Sequence, residues 1–405
     1  MMQNITSYLV RASSQSTFTQ LRFQGLRSLY TAEALGLDGY ATSRSKTAVN
    51  FHGTQMKEKF RTRMQEFVGS SSSNLIFTDD LKTMVNLAEN TPEDIKLLEQ
   101  MIEKFHSQST GLRFGTFVFG PVIMRFLYSI NETKALLSLL RNPKTVTLFD
   151  QFISYQIAMD LLLENKMYKE VLEVFDIAQK RNIQDNQYPK NCFIIVMAAL
   201  CRQNTPESYQ EMKTLLTKAS SFGHIPMRRA LTYAASLALK QNDPKFCMEL
   251  LSECKQQNYV TVRNLKAVAL AKLDRFDDCV AVLRAALEYD RPAGVEFRKR
   301  NFFKDVIDTI DQEIKGTASK DVQLEYDRVV KTLKDRDMIE DQILDSILDH
   351  PIDRVDPRER DNWGSNDRNF VDRGMVKRNF NKDNQYERNA RPLYPPRRPG
   401  LNEME

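Results

Sequence analysis

Two basic features in this 405-residue sequence are candidates for phosphate contact, and one of them lies among aromatic rings. Arg228-Arg229 stand at the start of an apolar helical stretch, and Arg298-Lys299-Arg300, with Lys304, are flanked by Phe297, Phe302 and Phe303. Cations hold phosphates and rings stack on unpaired bases, so this combination suits single-stranded nucleic acid. It recurs in residues 366–400, where nine basic residues face four acidic ones and Phe370, Phe380, Tyr386 and Tyr394 are interleaved with the arginines. Each feature also fits a solvated charge run beside core aromatics, or a solubilising linker. The residue types alone leave both readings open.

Catalytic chemistry finds no comparable foothold. Phosphate-cradling G-x-x-x-x-G-K-[ST] and G-x-G-x-x-G loops are missing, as are H-E-x-x-H and G-x-S-x-G. Asp274, Asp277 and Asp278 are close in sequence but fall at a turn and the following helix start, where carboxylates favour the helix dipole. Cys192, Cys201, Cys247, Cys254 and Cys279 sit in apolar helical surroundings without a C-x-x-C, and His52, His106, His224 and His350 are scattered. Buried structural thiols are expected, with no metal and no cofactor. The chain reads as a non-enzyme.

The elements that must position these groups are helices. Phe152–Gln184 predicts two antiparallel amphipathic helices, about Ile153–Glu164 and Tyr168–Arg181, joined at Asn165-Lys166 and ending at Asn182. Tyr168, Leu172, Phe175 and Ala178 form one apolar stripe, which a lone hairpin cannot bury. The pattern recurs. A position early in each second helix falls at Ala135, Val171, Tyr209 (a poor fit), Cys247 and Cys279, at spacings of 36, 38, 38 and 32 residues. Two helices per unit at a period in the mid-thirties predict an all-α fold, an α-solenoid of antiparallel helix pairs.

The unit around Ser154-Tyr155-Gln156, with second helix Lys169–Phe175, resembles a pentatricopeptide repeat. GTFVFGPVIMRFLY (115–128), NTPESY (204–209) and PMRRALTYAASLALKQND (226–243), in that order, extend the resemblance from about Leu81 to Lys255, somewhat under half of the chain. It implies RNA binding, with bases read by the fifth and the last residue of each unit. With Phe152 as a first residue, the fifth positions are Gly120, Gln156, Ile194, Thr232 and Asn264. Gln156, Thr232 and Asn264 can hydrogen-bond a base edge, although Gln156 and Asn264 equally suit ordinary helix positions and Thr232 lies in a stretch that reads as core. The last positions are Gln151, Pro189, Met227 and Tyr259, where the family prefers Asp, Asn or Ser. That departure argues against sequence-specific reading; a shifted register would restore Asp185 or Asn186.

The two ends complete the organisation. Residues 1–30 hold Arg11, Arg22 and Arg27 and no acid, the first being Glu33. Rich in Ser, Thr and Gln, this segment reads as a mitochondrial transit peptide removed near Leu29-Tyr30-Thr31, the alternative being a basic tail. Without it the 58 basic and 53 acidic residues become 55 and 53, a charge too near neutral to drive nucleic-acid binding in bulk. Residues 31–74 form a lead-in with a basic helix, Met56–Phe67, carrying Lys57, Lys59, Arg61 and Arg63. A helical pair (75–113), the repeats (114–290), C-terminal capping helices (291–350) and a basic, aromatic tail (351–405) follow, the tail expected to be disordered. Asp321–His350 reads as one long helix stopped by Pro351.

The functional expectation is an adapter in the mitochondrial matrix. It would bind single-stranded mitochondrial RNA beside other RNA-processing proteins and support transcript maturation and respiratory-chain assembly. The second reading is a helical protein–protein scaffold. No segment is apolar over the ~20 residues of a membrane span.

Overall fold

The computed structural model describes residues 28–51, 54–69, 74–108, 117–287 and 301–353. Residues 1–27 of the segment expected to be a transit peptide, Arg298-Lys299-Arg300 and the tail from residue 354 onward therefore lie outside the described residues. Within them the fold is all-α, a solenoid of antiparallel helix pairs. α1 (Ala32–Leu35), α2 (Leu37–Asn50) and α3 (Thr54–Val68) lead in, and α4 (Thr78–Leu87) with α5 (Pro92–Ser107) makes the first pair. Five repeat pairs follow: α6 (Gly120–Ile130) with α7 (Thr133–Arg141), α8 (Phe152–Glu164) with α9 (Tyr168–Arg181), α10 (Lys190–Gln203) with α11 (Pro206–Ser221), α12 (Arg228–Lys240) with α13 (Pro244–Ser252), and α14 (Val260–Lys272) with α15 (Phe276–Leu287). Successive first helices pack on one another, α6 on α8, α8 on α10 and α10 on α12, as a stack of units requires.

The turn inside each repeat pair has one repeated device. Asn131, Lys166, Asn204, Asn242 and Asp274 all adopt positive φ, between 49° and 58°, and in every unit the second helix begins two residues later. Asn and Asp tolerate this left-handed conformation through short polar side chains; Lys166 has no such help. Capping fixes the restart. Asp243 Oδ1 accepts from Phe246 N at 3.1 Å, Thr205 Oγ1 accepts from Ser208 N at 3.1 Å, and Pro206 and Pro244 occupy first helical positions. Counted from these turns, Val171, Tyr209, Cys247 and Cys279 are equivalent, and the matching residue of the first unit is Leu136, fully buried, one place beyond the expected Ala135. Tyr209, a poor fit for a tight site, is accommodated because its hydroxyl reaches out to Asp243 Oδ2 at 2.6 Å.

The C-terminal part departs from the sequence reading. The expected single helix over Asp321–His350 is interrupted: α17 (Lys320–Asp335) ends, and α18 (Leu344–Leu348) is a separate short helix. Asp337 takes φ 52°, and Met338 N donates to Leu333 O at 2.9 Å, closing α17. Met338 then accepts through its carbonyl from Phe302 N at 2.9 Å, and β1 (Phe302–Phe303) pairs in parallel with β2 (Ile339–Glu340). The apolar residues Ile339, Ile343 and Ile347 thus serve an extended segment and a short helix. α16 (Lys304–Thr317) packs on α14, and α17 packs on α15, so these two helices continue the stack.

Candidate nucleic-acid interface

The first helices are apolar nearly all round. Every residue from Ser154 to Leu163 in α8, from Cys192 to Cys201 in α10 and from Ala230 to Leu239 in α12 is buried. A helix buried on all sides needs packing partners on all sides. Second helices supply one side. The chain's own ends supply another: α1 packs on α8, α18 packs on α12 and α14, and β1 packs on α14.

These covering segments are held by directed polar contacts. Ile352 N donates to Leu29 O at 2.8 Å and Thr31 N donates to Ile352 O at 3.1 Å, so residues 29–31 and 352 pair in parallel. Tyr30 Oη donates to Asn191 O at 3.3 Å, and Leu29 N donates to Asp160 Oδ1 at 3.2 Å. The end of α18 is clamped from two repeats: Arg202 meets Asp349 at 3.1 Å, and Tyr233 Oη lies 2.6 Å from Leu348 O. Lys240 pairs with Asp345 at 2.9 Å.

The residues expected to read bases lie beneath this cover. Gln156 is buried and accepts from Asn191 Nδ2 at 3.0 Å. Thr232 is buried and returns its hydroxyl to Arg229 O at 3.0 Å. Asn264 is fully buried; it donates to Val260 O and Asn301 O and accepts from Phe303 N, at 2.8, 3.2 and 3.2 Å. In this conformation their polar atoms satisfy the protein's own backbone and side chains. Gly120, at another fifth position, is a close-approach site: a Cβ there would stand 2.7 Å from Leu148 O.

The basic residues divide. Arg229 Nη2 donates to Leu348 O at 2.6 Å and to His350 O, so it fastens the C-terminal segment. Arg228 instead stacks its guanidinium 3.1 Å above the Tyr259 ring, beside Gln256. Burial holds its pKa below the usual arginine range, with Arg229 adding in the same direction and Tyr259 opposing. In the lead-in helix, Arg61 is spent on Asp94, with both hydrogen bonds at 2.8 Å, and Lys57 lies 3.7 Å from Glu89. Asp278 is paired with Arg275 at 2.6 Å, in keeping with a helix-start role. The five cysteines are buried and unbridged, and desolvation pushes Cys192 and Cys279 up to about 12, far from thiolate reactivity.

Sequence reasoning missed the loop between α11 and α12. There Phe222, Ile225 and Met227 are 65%, 70% and 43% exposed, next to Arg228. His224 stacks on Tyr188 at 5.6 Å, and burial, helped by the charge of Lys190, lowers its pKa. The available signal was three large apolar residues in a six-residue loop, where a turn between polar helix ends would ordinarily be polar.

The chain is similar to curated mitochondrial pentatricopeptide repeat-containing protein 2. The Xenopus laevis protein of that name is 25% identical over 340 residues, 84% of this chain and 86% of its own. The Homo sapiens protein is 24% identical over 330 residues, covering 81% and 82%, and the Danio rerio protein 26% over 276 residues, covering 68% and 70%. No protein-family model matches the chain. The resemblance read over residues 81–255 therefore extends through most of the chain, including parts on either side of the repeats.

Proposed function

We propose that this protein is a mitochondrial adapter, located in the matrix, that binds single-stranded transcripts and supports their maturation and, through it, respiratory-chain assembly. The observation that carries this reading is similarity to mitochondrial pentatricopeptide repeat proteins along more than four fifths of the chain, on a helical-repeat fold. The adapter does no chemistry of its own and works beside other RNA-processing proteins. Because Gln156, Thr232 and Asn264 are covered, RNA contact falls first to the exposed loop and its flank. Phe222 offers a largely exposed ring tilted against Tyr188, Arg228 on Tyr259 a stacked cation, and Lys190 a nearby charge. Such a platform binds unstacked bases with little sequence preference. The near-neutral charge predicts a shallow salt dependence.

The test is binding of the purified protein to single-stranded and duplex RNA of the same sequence. Single-stranded RNA should bind better, and the double variant Phe222→Ala, Arg228→Glu should weaken it about tenfold, since one base stack is worth ~1–3 kcal/mol. An unchanged affinity would move the contact elsewhere. The self-covered first-helix face favours a second reading, a protein–protein scaffold. That reading prevails if the protein retains no single-stranded RNA at low salt but captures a defined mitochondrial protein.

A further inference from the structure

Among the described residues, Asp160 is a buried carboxylate with no cation in direct contact. It lies in the middle of α8 with no exposed surface. Its hydrogen bonds come from two neutral donors, the Leu29 backbone N–H at 3.2 Å and the Tyr128 hydroxyl at 3.1 Å. Tyr128 must divide its one proton, because its oxygen also lies 2.6 Å from Glu164 Oε1. Arg202 acts on Asp160 only from a distance, being paired with Asp349 at 3.1 Å. Burial and the Glu164 charge push the Asp160 carboxyl up to about 8. A buried ion this poorly compensated is costly, and of its two donors only the nitrogen of Leu29 could become a cation.

We propose that the Ser28–Leu29 peptide bond is the processing site of this chain, and that the α-ammonium group released on Leu29 becomes the counter-ion of Asp160. A processing peptidase would add water across the bond. The Ser28 carbonyl carbon takes the hydroxyl and leaves as a carboxylate, and the Leu29 nitrogen gains protons to become –NH3+. Arg27 stands two residues before the new terminus, in a stretch of 32 residues without an acid. The cut must come before docking, because Ser28 is 8% and Leu29 0% exposed in the folded protein. Import in an unfolded state provides that order. Cutting after Tyr30, also within the stretch the sequence points to, would discard two buried residues, the bond from Ile352 N to Leu29 O and, among the described residues, the only backbone donor to Asp160. A cut at Ser28 keeps all three and replaces a neutral amide with a cation at the same atom.

The first measurement is N-terminal sequencing of the protein recovered from mitochondria of cells expressing the full chain with a C-terminal tag. Leu29 is the expected first residue, and a different one overturns the proposal. The second compares Asp160→Asn in two backgrounds at pH 7.5. In a chain beginning at Leu29 with a free amine, the variant should melt about 3–6 °C lower, because an ion pair is broken. In the full chain, where Leu29 N is an amide, the same variant should be neutral or stabilising. Equal effects in the two chains overturn the proposal. Should the variant fail to fold, acylation of the Leu29 amine gives an independent reading. The folded Leu29 chain should react at least tenfold more slowly than the denatured chain, and an unprotected amine overturns the inference.

Discussion

Replacing Asn264 with alanine distinguishes a base reader from a structural clasp. Asn264 spans α14 and the segment that opens β1, donating to Asn301 O and accepting from Phe303 N, both at 3.2 Å. Asn301, Phe302 and Phe303 are 3%, 0% and 1% exposed, so water cannot replace the lost partner. Alanine would strand one buried carbonyl and one buried N–H. Each stranded group costs about 1–3 kcal/mol, so the two together cost about 2–6 kcal/mol. Equilibrium urea unfolding of the full chain should show this loss. Amide exchange of Phe302 and Phe303 should accelerate even below the main transition, because β1 loses its anchor to the stack. RNA affinity at temperatures well below melting should fall no more than for an equally destabilised control such as Leu283→Ala, another fully buried site. The reasoning is refuted if Asn264→Ala keeps wild-type stability and protection at β1 while changing which RNA is preferred.

Other expectations follow from the same contacts. Val171→Asp places a charge at a fully buried position between helices, and the repeats should lose most of their far-UV helical signal or unfold several kcal/mol more easily; wild-type stability would refute the register. Arg61→Ala removes both hydrogen bonds to Asp94, whose side chain is 4% exposed, and should cost about 3 kcal/mol in urea unfolding. Arg61→Lys should recover only part, because an ammonium cannot make the paired contact. In the full chain, the Asp160 carboxyl sits well above its unfolded value, so the folded state holds the proton over a range where the unfolded state has released it. Stability should therefore fall as pH rises from about 4 to about 8, and Asp160→Asn should flatten that slope. Tyr30, Tyr128, Glu164 and Arg202 face the same corner, and the difference in slope between the two chains reports Asp160 together with its coupling to them.

The repeat architecture was legible because each unit carries its own local instructions. The α9 bounds, Tyr168–Arg181, and the stop at Asn182, φ 43°, follow from a 3.6-residue stripe and an Asn suited to the left-handed conformation. What escaped were features set by distant partners. Leu136 and Ala135 are both apolar and adjacent, so only the turn at Asn131 decides which one occupies the tight position. The break in Asp321–His350 escaped for a related reason. Val322, Val329 and Leu333 keep helical spacing, but Ile339 and Ile343 continue it only by coincidence, and pairing with Phe302-Phe303 claims that segment for β structure.

The candidate site was harder to read, and the reason is physical. Residue types at fifth positions say what a side chain can bond, not what already bonds it. Gln156, Thr232 and Asn264 have the right chemistry for a base edge, but the uninterrupted apolar runs of α8 and α12 already required that these helices be covered on every side. A helix presenting a reading face to water would show polar residues at helical spacing along that face. Here the polar residues on the covered side answer segments of the same chain: Asp160 answers Leu29, Arg229 and Tyr233 answer Leu348, and Asn264 answers Phe303. Any ligand reaching these positions must first displace the segments near 29–31, 301–303 and 344–352, together with the ion pairs Arg202–Asp349 and Lys240–Asp345. A ligand bound on the outer loop at Phe222 has no such competitor. The two routes therefore differ in one measurable respect: removing Asp345 and Asp349 should strengthen a ligand of the covered face and leave a ligand of the outer loop unaffected.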